Sequence, residues 1–303
     1  MSNFADRVIQ ESVRLGSPVV AGLDPRPNLL SSSQETATNG SMRARSRAYE
    51  EWGEQVLDGL AGVVPAVKIQ IAFYECLGLP GMRAYIRTAR RARDRGLLVI
   101  GDVKRGDIGS TAEAYAEAHF GAAASSAGGD VDAVTLNPYL GRESLEPFLA
   151  RCAEDGRGAF ALVRTSNPSA PQIQDLQVDG RPVHEHVGAL VDEWGIELRG
   201  TEGYSSLGAV VGATYPRELK ELRERHPHLL ILVPGYGAQG GTAEDVAGAL
   251  DDRGAGLLIA SSRGILRAYR EAADQDQDPV SAIRAAAETM RDDIRAAFEA
   301  RTT

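Results

Sequence analysis

Eight short apolar runs recur along the chain. Each gives way to a polar or glycine-rich turn, and most then lead into sequence with helical spacing. They fall at residues 18–24, 66–70, 97–104, 130–137, 158–166, 207–213, 229–235 and 256–260. Runs this apolar and this short are buried on both faces, as in a parallel sheet covered by helices. Eight of them in 303 residues, with no break that reads as a linker, predict one (β/α)8 TIM barrel spanning residues 1–303. A doubly wound open sheet is the alternative, and the count of eight favours closure.

The helical pattern adds an element at each end. Phe4, Val8, Ile9 and Val13 predict a leading amphipathic helix, and Ile283, Ala287, Met290, Ile294 and Phe298 form one stripe of a closing helix. Further helices are predicted at 47–60, 82–95, 184–198, 218–225 and 243–250. Another covers 112–118, introduced by a Ser110–Glu113 capping box. Two insertions interrupt the repeat. Residues 28–46, rich in Ser, Thr, Asn and Arg, predict an exposed loop. Residues 167–183 predict a long loop carrying a small hairpin at 177–182.

A net charge of −9 argues against a nucleic-acid-binding surface, because phosphate backbones demand basic patches. Two cysteines, Cys76 and Cys152, predict a reduced, cytoplasmic protein. The first residues are charged and lack the apolar stretch of a signal peptide, and no run approaches membrane-spanning length.

The chemistry gathers where strands end. In Gly101-Asp-Val-Lys-Arg-Gly-Asp-Ile108, strand alternation puts Asp102 and Lys104 on one side, roughly 6–7 Å apart at Cα. Asp107 follows three residues later. Asp24, Lys68, Asn137, Ser166, Gln239 and Arg263 also fall at or just after the C-terminal end of a predicted strand, and in a barrel such positions converge on one mouth. Any one of them reads equally well as a solvated loop residue. Acids and lysines alternating in one small space are costly unless they neutralise each other or hold a charged ligand.

The turns after the last two strands differ in character. Gly235, Gly237, Gly240 and Gly241 expose backbone amides, and Ser262-Arg-Gly264 stands where a helix would begin. Amides, a helix dipole and an arginine fork together suit a phosphate monoester. The histidines, at 119, 184, 186, 226 and 228, form no nucleophile–base set. His184 and His186 lack a third metal ligand nearby.

These residues resemble a known family. Asp102-x-Lys104-x-x-Asp107-Ile108-x-x-Thr111 is similar to the signature of orotidine 5′-monophosphate decarboxylase. Gly237-Ala-Gln-Gly-Gly241 and Ser262-Arg-Gly-Ile265 are similar to its phosphate loops. Leu23-Asp24, Lys68 and Ser166-x-Pro168 occur in the family's order. The chain length and both insertions resemble the longer bacterial (type 2) branch.

The resemblance implies a decarboxylase that turns orotidine 5′-monophosphate into UMP and carbon dioxide without metal or organic cofactor. It implies a homodimer in which Asp107, Ile108 and Thr111 reach the partner's site. Lys68, Asp102, Lys104 and the partner's Asp107 would form an alternating charge chain. Asp24 and Lys68 would contact the ribose and Ser166 the pyrimidine. Gln239 would span phosphate and ring, Arg263 and the Gly264 amide would hold the phosphate, and Asn137 would lie in the substrate pocket.

Two other readings stay open. Metal-dependent sugar-phosphate lyases of the same suprafamily share the Asp-x-Lys-x-x-Asp core but place a magnesium-binding Glu where this chain has Lys68. A nucleotide-phosphate sensor would keep the pocket without the chemistry.

Overall fold

In the computed structural model, residues 2–237 and 240–302 are described. Eight parallel strands close into a barrel: β1 (Val19–Leu23), β2 (Ala66–Gln70), β3 (Leu98–Arg105), β4 (Ala133–Leu136), β5 (Gly158–Arg164), β8 (Ser205–Val211), β9 (Leu229–Pro234) and β10 (Leu257–Ser261). β1 pairs with both β2 and β10, so the sheet has no free edge. The eight apolar runs become these eight strands, and the open sheet is set aside. β6 (Gln177–Val178) and β7 (Arg181–Pro182) form the predicted hairpin, outside the barrel.

Side chains alternate along each strand, which divides the core in two. Those pointing outward pack beneath the surrounding helices, with Trp52, Tyr74 and Tyr269 among the large buried side chains. Those pointing inward, including Val20, Ile100, Phe160, Leu230 and Leu258, fill the barrel.

The leading helix, Phe4–Leu15, closes the barrel's N-terminal end. Phe4, Ala5, Val8 and Ile9 join the interior cluster, and the Phe4 ring meets Phe160 edge-on at 5.9 Å. Polar contacts help fasten it: Asp6 accepts the backbone amides of Thr201 and Glu202, and Arg7 pairs with buried Asp132 at 2.7 Å. The helix Pro279–Thr302 packs against Met42–Leu60 and Arg263–Asp274.

The 28–46 insertion is not a loop. It holds a helix at Ser32–Thr38, and Met42–Leu60 begins five residues before its predicted start. Ser31 and Gln34 form a capping box, and Ser41 caps the second helix. Tertiary contacts secure the polar first helix: Ser32 bonds Asp274, and Glu35 pairs with Arg270 at 2.8 Å. The predicted capping box at Ser110–Glu113 is absent. The helix starts at Gly109 with Ile108 in the cap position, because the chain leaving β3 is still extended there. Among the described residues no helix is long and apolar enough to cross a membrane.

Candidate active site

One step above the inward-facing apolar layer, the barrel interior changes character. The next inward residues are Lys68, Asp102 and Thr135 on one side and Leu162, Val210 and Leu232 on the other, all lining a cavity of about 1020 Å³ at the mouth. The floor is therefore half charged and half apolar.

Asp102 organises the charged half. Its Oδ2 accepts from Lys68 Nζ at 2.8 Å and Gln70 Nε2 at 2.9 Å. Its Oδ1 accepts from Thr135 Oγ1 at 2.9 Å and from Lys104 Nζ. Lys68 and Asp102 are 7% and 6% exposed, whereas Lys104 rises into the cavity. Burial by itself pushes the Asp102 carboxyl up, but Lys68 and Lys104 outweigh it and hold the group well below the usual carboxylate range. Burial likewise disfavours the Lys68 ammonium, and Asp102 and Asp24 reverse that, so its pKa is raised. Both groups stay charged in a place that would otherwise neutralise them.

Local backbone aims Lys104. It adopts φ +45°, a left-handed conformation that few residues other than glycine take up, within an irregular stretch of β3. Asp24 follows β1. Its Oδ1 is buried without a hydrogen-bond partner among the described residues, a carboxylate oxygen ready for a donor such as a sugar hydroxyl.

Asn137 and Ser166 also line the cavity. Asn137 Oδ1 accepts the Tyr139 amide at 3.1 Å and so caps a short helical turn at the rim. The Ser166 loop is tied down by its neighbours. Gln174 accepts the Thr165 amide and donates to the Thr165 hydroxyl, while buried Arg164 pairs with Asp175 at 2.7 Å and lies 3.7 Å over the Tyr215 ring.

Asp107, Ile108 and Thr111 do not join this cluster within one chain. Asp107 accepts the Ile108 amide at 2.8 Å and makes no ion pair among the described residues. Ile108 is 50% exposed and lines a second, open groove. Gln239 lies outside the described residues.

The glycine turn departs from the expectation of free amides: the Gly237 amide donates to the Gly241 carbonyl at 2.8 Å and the Gly240 amide to the Gly237 carbonyl at 2.9 Å. Gly235, Gly237 and Gly240 have φ of 101°, 69° and 99°, conformations that favour glycine. Arg263 and Gly264 open a twelve-residue helix after β10 whose first N–H groups have no intrahelical acceptor. His184 and His186 each hydrogen-bond a backbone carbonyl, and no three His, Cys, Asp or Glu side chains among the described residues are placed to hold a metal ion.

Sequence reasoning missed two members of the cluster, Thr135 and Gln70. Each has a signal in hindsight: Thr135 lies two residues before Asn137, and Gln70 two after Lys68, so each shares the inward face of its strand.

The sequence model of the orotidine 5′-phosphate decarboxylase / HUMPS family matches residues 19–276. A relative named orotidine 5′-phosphate decarboxylase from Rhodopirellula baltica is 44% identical and aligns over 97% of this chain and 100% of its own length. One of the same name from Petrotoga mobilis is 44% identical over 81% of this chain and 83% of its own. Among solved structures, Leishmania donovani OMP decarboxylase superposes with a TM-score of 0.77 at 30% identity, covering 99% of each chain.

Proposed function

The chain belongs to the orotidine 5′-phosphate decarboxylase / HUMPS family, and on that footing we propose that it is a carboxy-lyase converting orotidine 5′-monophosphate to UMP and carbon dioxide in pyrimidine biosynthesis. The observation that carries this reading is the Lys68–Asp102–Lys104 array, with Lys68 and Asp102 buried and Lys104 reaching into the cavity, facing an apolar wall.

Loss of carbon dioxide from C6 leaves a carbanion with no electron sink in the ring. A fixed ammonium beside that carbon stabilises the charge as it develops and then supplies the proton. Lys104 is that group, since its ammonium reaches into the cavity while its partner Asp102 stays buried. Asp102 keeps both lysines charged and stands close to the substrate carboxylate. Two like charges at about 3.5 Å repel by roughly 5 kcal/mol at an effective dielectric of 20, and departure of carbon dioxide relieves that repulsion. Stabilisation of the carbanion is the larger contribution. The apolar wall of Leu162, Val210 and Leu232 keeps water from competing for the proton.

Asp24 and Lys68 bind the ribose, with Asp24 Oδ1 as the acceptor. Ser166 and Asn137 face the pyrimidine. Gln239 bridges phosphate and ring, and Arg263 with the Gly264 amide holds the phosphate at the helix start. Phosphate binding far from C6 helps close the loops over the reacting carbon. The working unit in this reading is a single barrel domain in a cytoplasmic homodimer. The partner's Asp107 completes the charge chain, and the partner's Ile108 and Thr111 border the site. The half-exposed Ile108 and the Asp107 carboxylate, which makes no ion pair among the described residues, support that arrangement.

The test is the ultraviolet absorbance of orotidine 5′-monophosphate incubated with the protein in EDTA. Loss of substrate absorbance with formation of UMP is expected. No turnover in EDTA, with turnover of a sugar phosphate once magnesium is added, overturns it in favour of a lyase. Tight UMP binding with no turnover of either substrate overturns it in favour of a sensor.

A further inference from the structure

We propose that Thr135, a residue of β4, is a positioning residue that sets where the Lys104 ammonium stands. The proposal rests on the reading of Lys104 as the proton donor and concerns what aims it.

The register of the sheet isolates this threonine. Gly101 of β3 pairs with Val134 of β4, and Arg105 pairs with Leu136, so three β3 residues, 102 to 104, face one β4 residue, Thr135. β3 bulges at the point where its two charged side chains leave it. A bulge leaves backbone groups without ladder partners and re-aims the side chains it carries. Here the Lys104 amide finds its partner in a side chain, donating to Thr135 Oγ1 at 3.0 Å. The same oxygen donates its hydrogen to Asp102 Oδ1 at 2.9 Å.

The direction of both bonds is fixed by chemistry. An amide N–H can only donate and an ionised carboxylate can only accept, so the hydroxyl must accept from Lys104 and give its single hydrogen to Asp102. Thr135 is 2% exposed, so it has no solvent to turn to.

One hydroxyl thereby holds both ends of the catalytic pair. It grips the backbone of Lys104 in its left-handed conformation and the oxygen of Asp102 that receives the Lys104 ammonium. A valine, with nearly the same shape, would fill the space but take away the Lys104 amide's acceptor. The bulge would then relax, and the ammonium would move with it. The Thr135 hydroxyl bonds Asp102 and the Lys104 backbone, and among the described residues it bonds none of the groups assigned above to ribose or phosphate, so its effect belongs to the chemical step and not to nucleotide binding.

The test compares Thr135→Val and Thr135→Ser in the full-length protein, with Lys104→Ala in parallel, by steady-state kinetics on orotidine 5′-monophosphate and by UMP affinity. Thr135→Val is expected to lower kcat about 10- to 100-fold, as a small misplacement of a catalytic group does. KM and UMP affinity should stay within about threefold, and Thr135→Ser, which restores the hydroxyl, should keep kcat within about threefold of the parent.

If Thr135→Val shows no cooperative melt, Thr135→Ala carries the same comparison. A kcat within about twofold in the hydroxyl-free variant, with Lys104→Ala inactive, overturns this proposal alone. So does a Thr135→Ser variant as impaired as Thr135→Val, or a parallel loss of kcat and UMP affinity, either of which assigns Thr135 to packing. Turnover surviving Lys104→Ala overturns the proton-donor reading and this proposal together.

Discussion

Gly22 of β1 and Ser262, the residue before the helix that carries Arg263, touch side by side at the top of the neighbouring strands β1 and β10. A β-carbon on Gly22 would stand 2.0 Å from the Ser262 hydroxyl oxygen and 3.2 Å from its β-carbon. Gly22→Ala therefore pushes Ser262 aside and with it the start of the proposed phosphate-binding helix. KM for orotidine 5′-monophosphate should rise about tenfold while kcat changes less, since one added carbon in a close-packed contact forces a local shift and leaves the barrel standing. Steady-state kinetics read this, and an unchanged KM would separate Gly22 from phosphate binding.

Arg263→Ala removes the charged fork and leaves the helix dipole. We expect KM to rise by at least about tenfold, in line with the loss of a charge-assisted bond to phosphate, with the fold intact by circular dichroism. An unaltered KM would place the phosphate elsewhere.

Asp102→Asn leaves two ammonium groups close together with no negative charge between them. Breaking a buried pair in this way costs roughly 3–5 kcal/mol, with the lower end expected because Lys104 is half exposed. Turnover should fall by more than about 100-fold, because both lysines lose the partner that holds their charge. Urea denaturation and initial rates measure the two effects, and a variant as stable as the parent would contradict the account of the array.

The same array fixes how stability depends on pH. Asp102 has its pKa lowered from an ordinary 3.8, so its contribution is complete above that value and fades as pH falls below it toward the lower folded value. Lys68 has its pKa raised from 10.5, so its contribution is complete below that value and fades only as pH rises above it. The Asp102 part of the stability gap between the parent and Asp102→Asn should therefore be fully present above about pH 5 and narrow below about pH 4. Denaturation midpoints across those pH values test it, and a gap that changes steadily through neutral pH would point to another titrating group.

Sharing of the site between subunits is tested by mixing two inactive variants. Lys104→Ala and Asp107→Ala protomers, reassorted together, regenerate one intact site in each mixed dimer. Random pairing then gives about a quarter of parental activity. No recovery in a mixture that exchanges subunits would show that Asp107 acts within its own chain or not at all.

The barrel was legible because its strands are apolar on both faces, a pattern few other structures share. The ends of those strands drew attention to Lys68, Asp102, Lys104, Asn137 and Ser166, and these five line one cavity. The helix at Ser32–Thr38 was not legible. It is polar all round and gains its stability from Asp274 and Arg270, more than 200 residues away. Thr135 was hidden for a different reason. A threonine in a four-residue apolar strand reads as ordinary β-sheet sequence, and its role emerges only from the register that sets it against a bulge in the neighbouring strand.

The helix Phe4–Leu15 makes the barrel a cup, where an unplugged ring of strands would be a tube. A cup has one opening. Substrate, carbon dioxide and UMP must all pass the same rim, so departure of the gas and of the nucleotide are successive uses of one doorway. Traffic through that doorway is governed by whatever holds the nucleotide at the phosphate end.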